Sequence, residues 1–312
     1  MSKEEHATPC LEEFRRKRQE WLHCLKGHDT NSLFSQVQNM LWCGATFHML
    51  NEARKKLAPS SRDHHVELNG LLCELIDGGF VALQVLSIRR LTDSGYKLID
   101  TKKGIYSLPS LINDLSGNIC LLTRENILGV EVLSRPGHAD GVQDKVEVER
   151  REKEIDVLAG ASLMHRRSDD QVRLDVLGSL LEMLLRTSKE TANIREYSMK
   201  FLAHAASPDS RNRTKIDDIT LGDLHKAQET ICRVFNFVGT YLLPDQYPVT
   251  VGCPQTEPSW FHYLDRPLVA EQDVGEMEKT WKSYWDDTKQ WGGSGVEAML
   301  EQLRKPGTGT AE

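Results

Sequence analysis

Residues 70–93 read GLLCELIDGGFVALQVLSIRRLTD, and this stretch decides the fold class. It lies in a helical pattern over residues 66–91, in which apolar side chains recur every three or four positions. One apolar stripe consists of Leu68, Leu72, Leu75, Gly79, Leu83 and Leu86, and a second consists of Val81, Val85 and Ile88. Because a helix that is apolar on two sides is usually buried in the middle of a bundle, we predict that this helix is central.

The rest of the chain predicts an all-α fold around this helix, since it contains no long strand pattern and no internal repeat. Thr220 followed by Asp223 forms a capping-box pattern at the start of a helix that Pro244 ends. Further helices are predicted at residues 33–58, 108–115, 118–132, 146–165, 170–187 and 189–205. We therefore predict an antiparallel helical bundle over residues 30–243.

Two segments flank the predicted bundle. Residues 1–28 predict a flanking helix. Residues 244–312 predict a Pro-rich connection, an amphipathic Trp-rich helix at 267–291 and a disordered tail. Aromatic side chains at helical spacing in that helix favour packing, and a protein partner is the functional alternative.

Composition narrows the classes of function. The 312-residue chain carries a net charge of −7, which argues against a general nucleic-acid coat protein but not against a local basic groove. We expect no membrane span, because no apolar run of 18 residues occurs, and no signal segment. Seven scattered cysteines without metal-ligand spacing predict a reducing cytoplasm, no metal and no cofactor.

Tyr197, Lys200 and His204 are the candidate catalytic residues. Their spacing of three and four positions places them on one face of a helix. A phenol, an ammonium and an imidazole together can bind phosphate and transfer protons near neutral pH. Arg18 and His23, with four residues between them, match a spacing used by a family of ribonucleases, but in an Arg-rich helical segment an accidental match is favoured.

The order of motifs resembles the HEPN (higher eukaryotes and prokaryotes nucleotide-binding) superfamily, most of all its abortive-infection branch. The resemblance rests on a helix ending in SIRRLTD, then YSLPSLIND, then EYSMKFLAHA and the capped helix ITLGDLHKAQETICRVFNFVGTYL. It covers roughly residues 30–243. It implies a helical bundle that dimerises, and in active members a metal-independent ribonuclease in which an Arg binds phosphate and a His transfers protons.

Under this resemblance the motif His is His204, and the motif Arg is missing, because its positions hold Tyr197, Ser198 and Met199. Lys200 with Tyr197 could substitute for it. An arginine from the SIRRLTD helix end, Arg89 or Arg90, could reach the site instead. The domain could also be a non-catalytic binding module, or His204 could satisfy a buried contact.

Arg89, Arg90 and Asp93 are accordingly the candidate RNA- or anion-binding residues. The structural alternative is an ion pair of Asp93 with either arginine, which the spacing of three and four residues permits and which we favour. The leading hypothesis is an HEPN-like protein of a phage-defence or toxin–antitoxin system that binds or cleaves RNA without metal. The alternative is a non-catalytic helical interaction module. The expected partners are RNA, a second copy of the chain, or a protein bound by helix 267–291.

Overall fold

The fold is all-α, as predicted. The computed structural model describes residues 9–57, 70–95, 98, 104–133, 142–161, 165–187, 189–202, 219–245, 251, 275, 279, 282, 283 and 286. Within these ranges there is no sheet, only an isolated antiparallel bridge between Thr123 and Gln171. The helices are α1 (Pro9–Lys26), α2 (Leu33–Leu57), α3 (Gly70–Leu91), α4 (Leu108–Gly117), α5 (Arg124–Leu133), α6 (Val142–Ala159), α7 (Leu174–Glu182), α8 (Lys189–Tyr197) and α9 (Leu221–Phe237).

Capping residues explain where two of these helices begin. The Ser107 hydroxyl accepts a hydrogen bond from the Ser110 backbone N–H at the start of α4. At the start of α9, Thr220 and Asp223 form the predicted reciprocal capping box. Such caps satisfy backbone N–H groups that have no partner inside the helix.

Three helices continue into π-helical turns. These turns span Met183–Thr187 after α7, Ser198–Leu202 after α8 and Val238–Leu242 after α9. A π-turn bonds residue i to i+5 instead of i+4, so it changes which side chains share a face. Hydrophobic periodicity does not predict these turns.

Helix α1 belongs to the main core, although the sequence predicts it as a flanking helix. It buries Phe14, Trp21 and Leu25 among the core side chains. The Trp21 indole Nε1 donates to Asp114 Oδ2 of α4 at 2.7 Å, and Lys17 Nζ lies 3.2 Å from the same oxygen. A buried indole with its N–H bonded anchors α1 to α4.

A buried amide joins three helices. Gln84 of α3 is fully buried, and its Nε2 donates to the Met40 carbonyl of α2 at 3.0 Å. Its Oε1 accepts from Gln228 Nε2 of α9 at 2.8 Å. Because a buried amide is stable only when its polar atoms are bonded, this contact fixes the rotation of α3 about its own axis.

The prediction that both apolar sides of α3 are buried is wrong for one side. Val85 and Ile88 on the second stripe are fully buried. The first stripe faces outward, with exposed fractions of 36% for Leu72, 70% for Leu75 and 56% for Leu83. The reason is that α2, α8 and α9 all contact α3, while Gln84 holds the opposite side of the helix against α2 and α9.

An ion network ties α5 to α6 and to the residues before α7. The buried Arg124 guanidinium donates to Asp156 and lies 3.6 Å from Asp170. Arg166 donates to the Asp156 carboxylate from Nε at 3.0 Å and from Nη2 at 2.7 Å. Burial alone acts to raise the pKa of Asp156, but the hydrogen bonds from Arg124 and Arg166 outweigh it and hold the pKa below its usual value.

The chain divides into two compact units, Met1–Gln255 and Thr256–Glu312. In the second unit, the described residues Gly275, Lys279, Lys282, Ser283 and Asp286 are helical and exposed. They fall within the predicted helix at 267–291. The tryptophans of that helix lie outside the described residues.

We predict that Asp156→Asn lowers the free energy of unfolding by about 2–3 kcal/mol at pH 7, because it leaves Arg124 buried with less compensating charge. The folded-state pKa of Asp156 is depressed, so its contribution is present above the usual value of 3.8 and is lost as the pH falls through the folded-state pKa. The difference in the free energy of unfolding between wild type and variant should therefore become smaller in acid. Urea denaturation at a series of pH values measures this difference.

The control is Asp169→Asn, since the Asp169 side chain is 67% exposed and pairs with Arg167 on the surface. It should change stability by less than about 0.5 kcal/mol. Equal effects of the two substitutions, or a difference that grows in acid, would contradict the role assigned to Asp156.

Candidate functional site

The two arginines at the end of α3 reach different surroundings. Arg89 Nη1 donates to the hydroxyl of Ser198 at 3.3 Å, and Ser198 is fully buried at the start of the π-turn after α8. Arg90 is exposed and lines a cavity beside α1. Adjacent helical residues are about 100° apart around the axis, so the pair cannot act as one cationic site.

Asp93 does not form the favoured ion pair with either arginine. Its carboxylate Oδ1 accepts from the Gly95 backbone N–H at 3.0 Å, in a turn that follows the helix. Its backbone carbonyl accepts from the Ser107 hydroxyl at 2.6 Å. Among Arg89, Arg90 and Asp93, all of which the structure describes, no ion pair is formed. Asp93 therefore connects the end of α3 to the start of α4.

Two of the candidate catalytic residues, Tyr197 and Lys200, lie where α8 changes to a π-turn. Tyr197 stacks on Phe201 with ring centroids 4.8 Å apart. Lys200 lies within the turn and is half-buried. The π-turn alters the α-helical phase on which the shared face of Tyr197 and Lys200 was predicted. His204 lies outside the described residues.

The Arg89 contact links the end of α3 to the π-turn after α8. The end of α3 packs against α8 and its π-turn. Arg89 therefore lies beside the segment that carries Tyr197 and Lys200.

A cavity of about 710 Å³ lies beside Arg90. Its walls come from the end of α1, the turn after it, the start of α2, the end of α3 and the stretch before α4. The polar groups at its wall include His23, Arg90 and Tyr106. Its volume falls in the usual range of ligand pockets, about 300–1,000 Å³.

The two acidic residues of the cavity each have a neighbouring partner. Glu20 pairs with Arg16 at 2.5 Å and with Lys17 at 3.4 Å. Asp29 Oδ1 accepts from the Asn31 backbone N–H at 2.8 Å, in a local turn. By contrast, no carboxylate in the described part of the chain lies within ion-pair distance of Arg90. The cavity therefore presents a cation that an anionic ligand can approach.

Tyr106 and His23 form the aromatic part of the wall. Their rings meet edge to face, with centroids 6.3 Å apart and an interplanar angle of 86°. Burial raises the pKa of Tyr106, and the nearby Cys24 and Asp29 raise it further, so its hydroxyl stays protonated at neutral pH. Burial likewise raises the pKa of the Cys24 thiol, which makes that cysteine a poor nucleophile.

Arg18 and His23 do not share a site. Arg18 Nη2 donates to the Pro244 carbonyl and lies 3.4 Å from Asp245, with its side chain 11% exposed. His23 instead lines the cavity. The contacts of Arg18 are therefore structural. His23 belongs instead to the wall of the cavity, which the spacing of Arg18 and His23 does not predict.

The described residues contain no cluster of His, Cys, Asp and Glu side chains able to hold a metal ion. None of the helices in this part of the chain is both long and apolar enough to cross a membrane. No protein-family model, curated protein or solved structure matches this chain.

We predict that Gly27→Ala perturbs His23. The Gly27 N–H donates to the His23 carbonyl at 2.9 Å, and a Cβ at Gly27 would lie 2.5 Å from that oxygen and 3.0 Å from His23 Nδ1. The end of α1 and the imidazole must therefore shift, at a cost of about 1–3 kcal/mol. The NMR resonance of His23, assigned with the variant His23→Gln, measures the shift of the imidazole. Urea denaturation measures the loss of stability.

Gly117→Ala is the matched control, because Gly117 also lies at a helix end and nothing approaches its Cβ position within 4 Å. It should leave the His23 resonance unchanged. If Gly27→Ala behaves like Gly117→Ala, the close approach between Gly27 and His23 is not a constraint on the cavity.

Proposed function

We propose that this chain is an HEPN-like helical protein that binds RNA, with one nucleotide in the cavity of His23, Arg90 and Tyr106. The observation that carries the proposal is that Arg90 lines the cavity and forms no ion pair with a described carboxylate. Glu20 and Asp29 are engaged with neighbouring groups, whereas Arg90 has no carboxylate partner among the described residues. An acidic protein can thus still offer one local anion site.

The chemistry of the wall suits a nucleotide. The planar guanidinium of Arg90 can donate two parallel hydrogen bonds to a phosphate. Tyr106 offers an aromatic surface of the kind on which unstacked RNA bases pack. His23 can donate a hydrogen bond to the ligand.

The proposal extends to cleavage of RNA without metal, in the setting of phage defence or of a toxin–antitoxin pair. His204 would transfer protons on the ribose hydroxyl, with Tyr197 and Lys200 on the same segment. The contact of Arg89 with Ser198 supports a role for α3 beside that segment. Arg89 would then act as the cation that the motif lacks.

A non-catalytic interaction module is the second candidate. The observation that favours it is the exposed leucine stripe of α3, because large apolar patches mark interaction sites. The helix that the sequence predicts at 267–291 remains a candidate surface for a protein partner. In this case the chain binds its partners without changing them.

Binding of a short fluorescent single-stranded RNA tests the first part of the proposal. We predict that Arg90→Ala weakens binding at least about tenfold and lowers the salt slope by about one, because one phosphate contact is lost. Arg167→Ala is the control, since it changes the net charge equally and its side chain is 75% exposed beside Asp169. Equal affinities of the two variants would refute binding at the cavity.

Cleavage is tested separately, with RNA incubated in the presence of EDTA. We predict that His204→Ala lowers the cleavage rate by at least about a hundredfold, the usual contribution of one general acid or base. Arg90→Ala should lower the cleavage rate mainly by weakening the binding of RNA. Binding without cleavage by the wild type would favour the non-catalytic alternative, and cleavage that survives His204→Ala would exclude this residue as the proton-transfer group.

A further inference from the structure

A second cavity, of about 420 Å³, opens between the end of α6, the first two turns of α7 and the end of α9. Its volume also falls in the usual range of small-molecule sites, about 300–1,000 Å³. None of the residues that line it lines the cavity of His23, Arg90 and Tyr106. The two cavities are therefore separate sites.

Most of the wall of this second cavity is apolar. Leu158, Leu180 and Val234 line it and are buried in the core. Val157 and Met183 line it closer to solvent, and Met183 begins the π-turn after α7. Methionine is flexible and adapts to irregular apolar ligands. A ligand that buries an alkyl group against this wall removes apolar surface from water, which favours binding.

Two arginines interrupt the apolar wall. Arg173 donates from Nε to Asp175 Oδ1 at 2.9 Å, and Arg233 Nη2 lies 2.6 Å from Glu229 Oε1. Both ion pairs are on the surface, where such pairs are weak and screened by salt. Each guanidinium has five N–H donors, so one partner leaves donors for a further anion. The cavity thus combines an apolar wall with two cationic groups.

The backbone after α6 holds Arg173 at the cavity. The Arg173 N–H donates to the Leu158 carbonyl at 3.0 Å. Its side chain crosses Gly160, where an added Cβ would lie 3.0 Å from Arg173 Cδ and 3.2 Å from Nη1. Gly160 has a φ of 69°, in the left-handed region that favours glycine. Because the arginine is already positioned, a ligand loses less affinity to the ordering of this side chain.

We propose that this cavity binds a fatty acid, with its alkyl chain on the apolar wall and its carboxylate at Arg173 and Arg233. A guanidinium can donate two parallel hydrogen bonds to a carboxylate. A carboxylate suits the site better than a phosphate, because Asp175 and Glu229 repel a doubly charged group more strongly.

The size of the cavity sets the length of the alkyl chain. An apolar cavity of about 150 Å³ holds one benzene molecule. The volume of about 420 Å³ is nearly three times as large, so a chain of about twelve carbons fits. Dodecanoate is therefore the ligand with which the proposal is tested.

Titration calorimetry of the full chain with dodecanoate, below its micelle concentration, should show saturable binding. Val157→Asp should weaken this binding at least about tenfold, because a new carboxylate at the cavity competes for the arginines and repels the ligand. The Val157 side chain is 74% exposed, so the variant should fold. Val148→Asp is the matched control, because Val148 lies on the same helix, is 43% exposed and does not line the cavity. Absence of saturable binding by the wild type, or equal effects of the two substitutions, would overturn the proposal.

The contribution of the carboxylate is measured with dodecanol, which has the same chain and no charge. The wild type should bind dodecanoate more tightly than dodecanol. Arg173→Gln should remove most of this preference, whereas Arg167→Gln should keep it, since Arg167 is 75% exposed beside Asp169 and does not line the cavity. Equal affinities of the wild type for the two ligands would overturn the assignment to an anion, and tighter binding of dodecyl phosphate would overturn the assignment to a fatty acid.

The contribution of the chain is measured with decanoate and octanoate. Each methylene removed should weaken binding by up to about fourfold, because less apolar surface is buried. Affinity that does not depend on chain length would contradict binding in the apolar cavity. The proposal goes beyond RNA binding and does not depend on it, so Arg90→Ala should leave the affinity for dodecanoate unchanged.

Discussion

The side chain of Gln84 fixes how α3 is rotated within the bundle. It is fully buried and bonds to the Met40 carbonyl of α2 and to Gln228 of α9. Any rotation of α3 would leave these polar atoms buried without partners, at about 1–3 kcal/mol for each. A purely apolar stripe would tolerate more rotation, because hydrophobic contacts are not directional. The amide therefore supplies orientation in addition to stability.

The positions of the other groups on α3 follow from this orientation. Gln84 lies about 140° from Gly79 around the axis, so inward placement of the amide turns the leucine stripe outward. Arg90 lies within about 20° of the Gly79 direction and Arg89 about 80° to the other side. The same rotation thus directs Arg89 towards Ser198 and leaves Arg90 exposed at the cavity. The exposure of the leucine stripe and the position of Arg90 at the cavity therefore both depend on one buried contact.

Hydrophobic periodicity predicted the all-α class, and capping chemistry predicted where α9 begins, because both are local properties of the chain. Periodicity identified two apolar faces of α3 but not which one is covered, since coverage depends on distant helices. The cavity was missed for a similar reason: His23, Arg90 and Tyr106 are far apart in sequence. The π-turn after α8 was also missed, and it altered the face predicted for Tyr197 and Lys200.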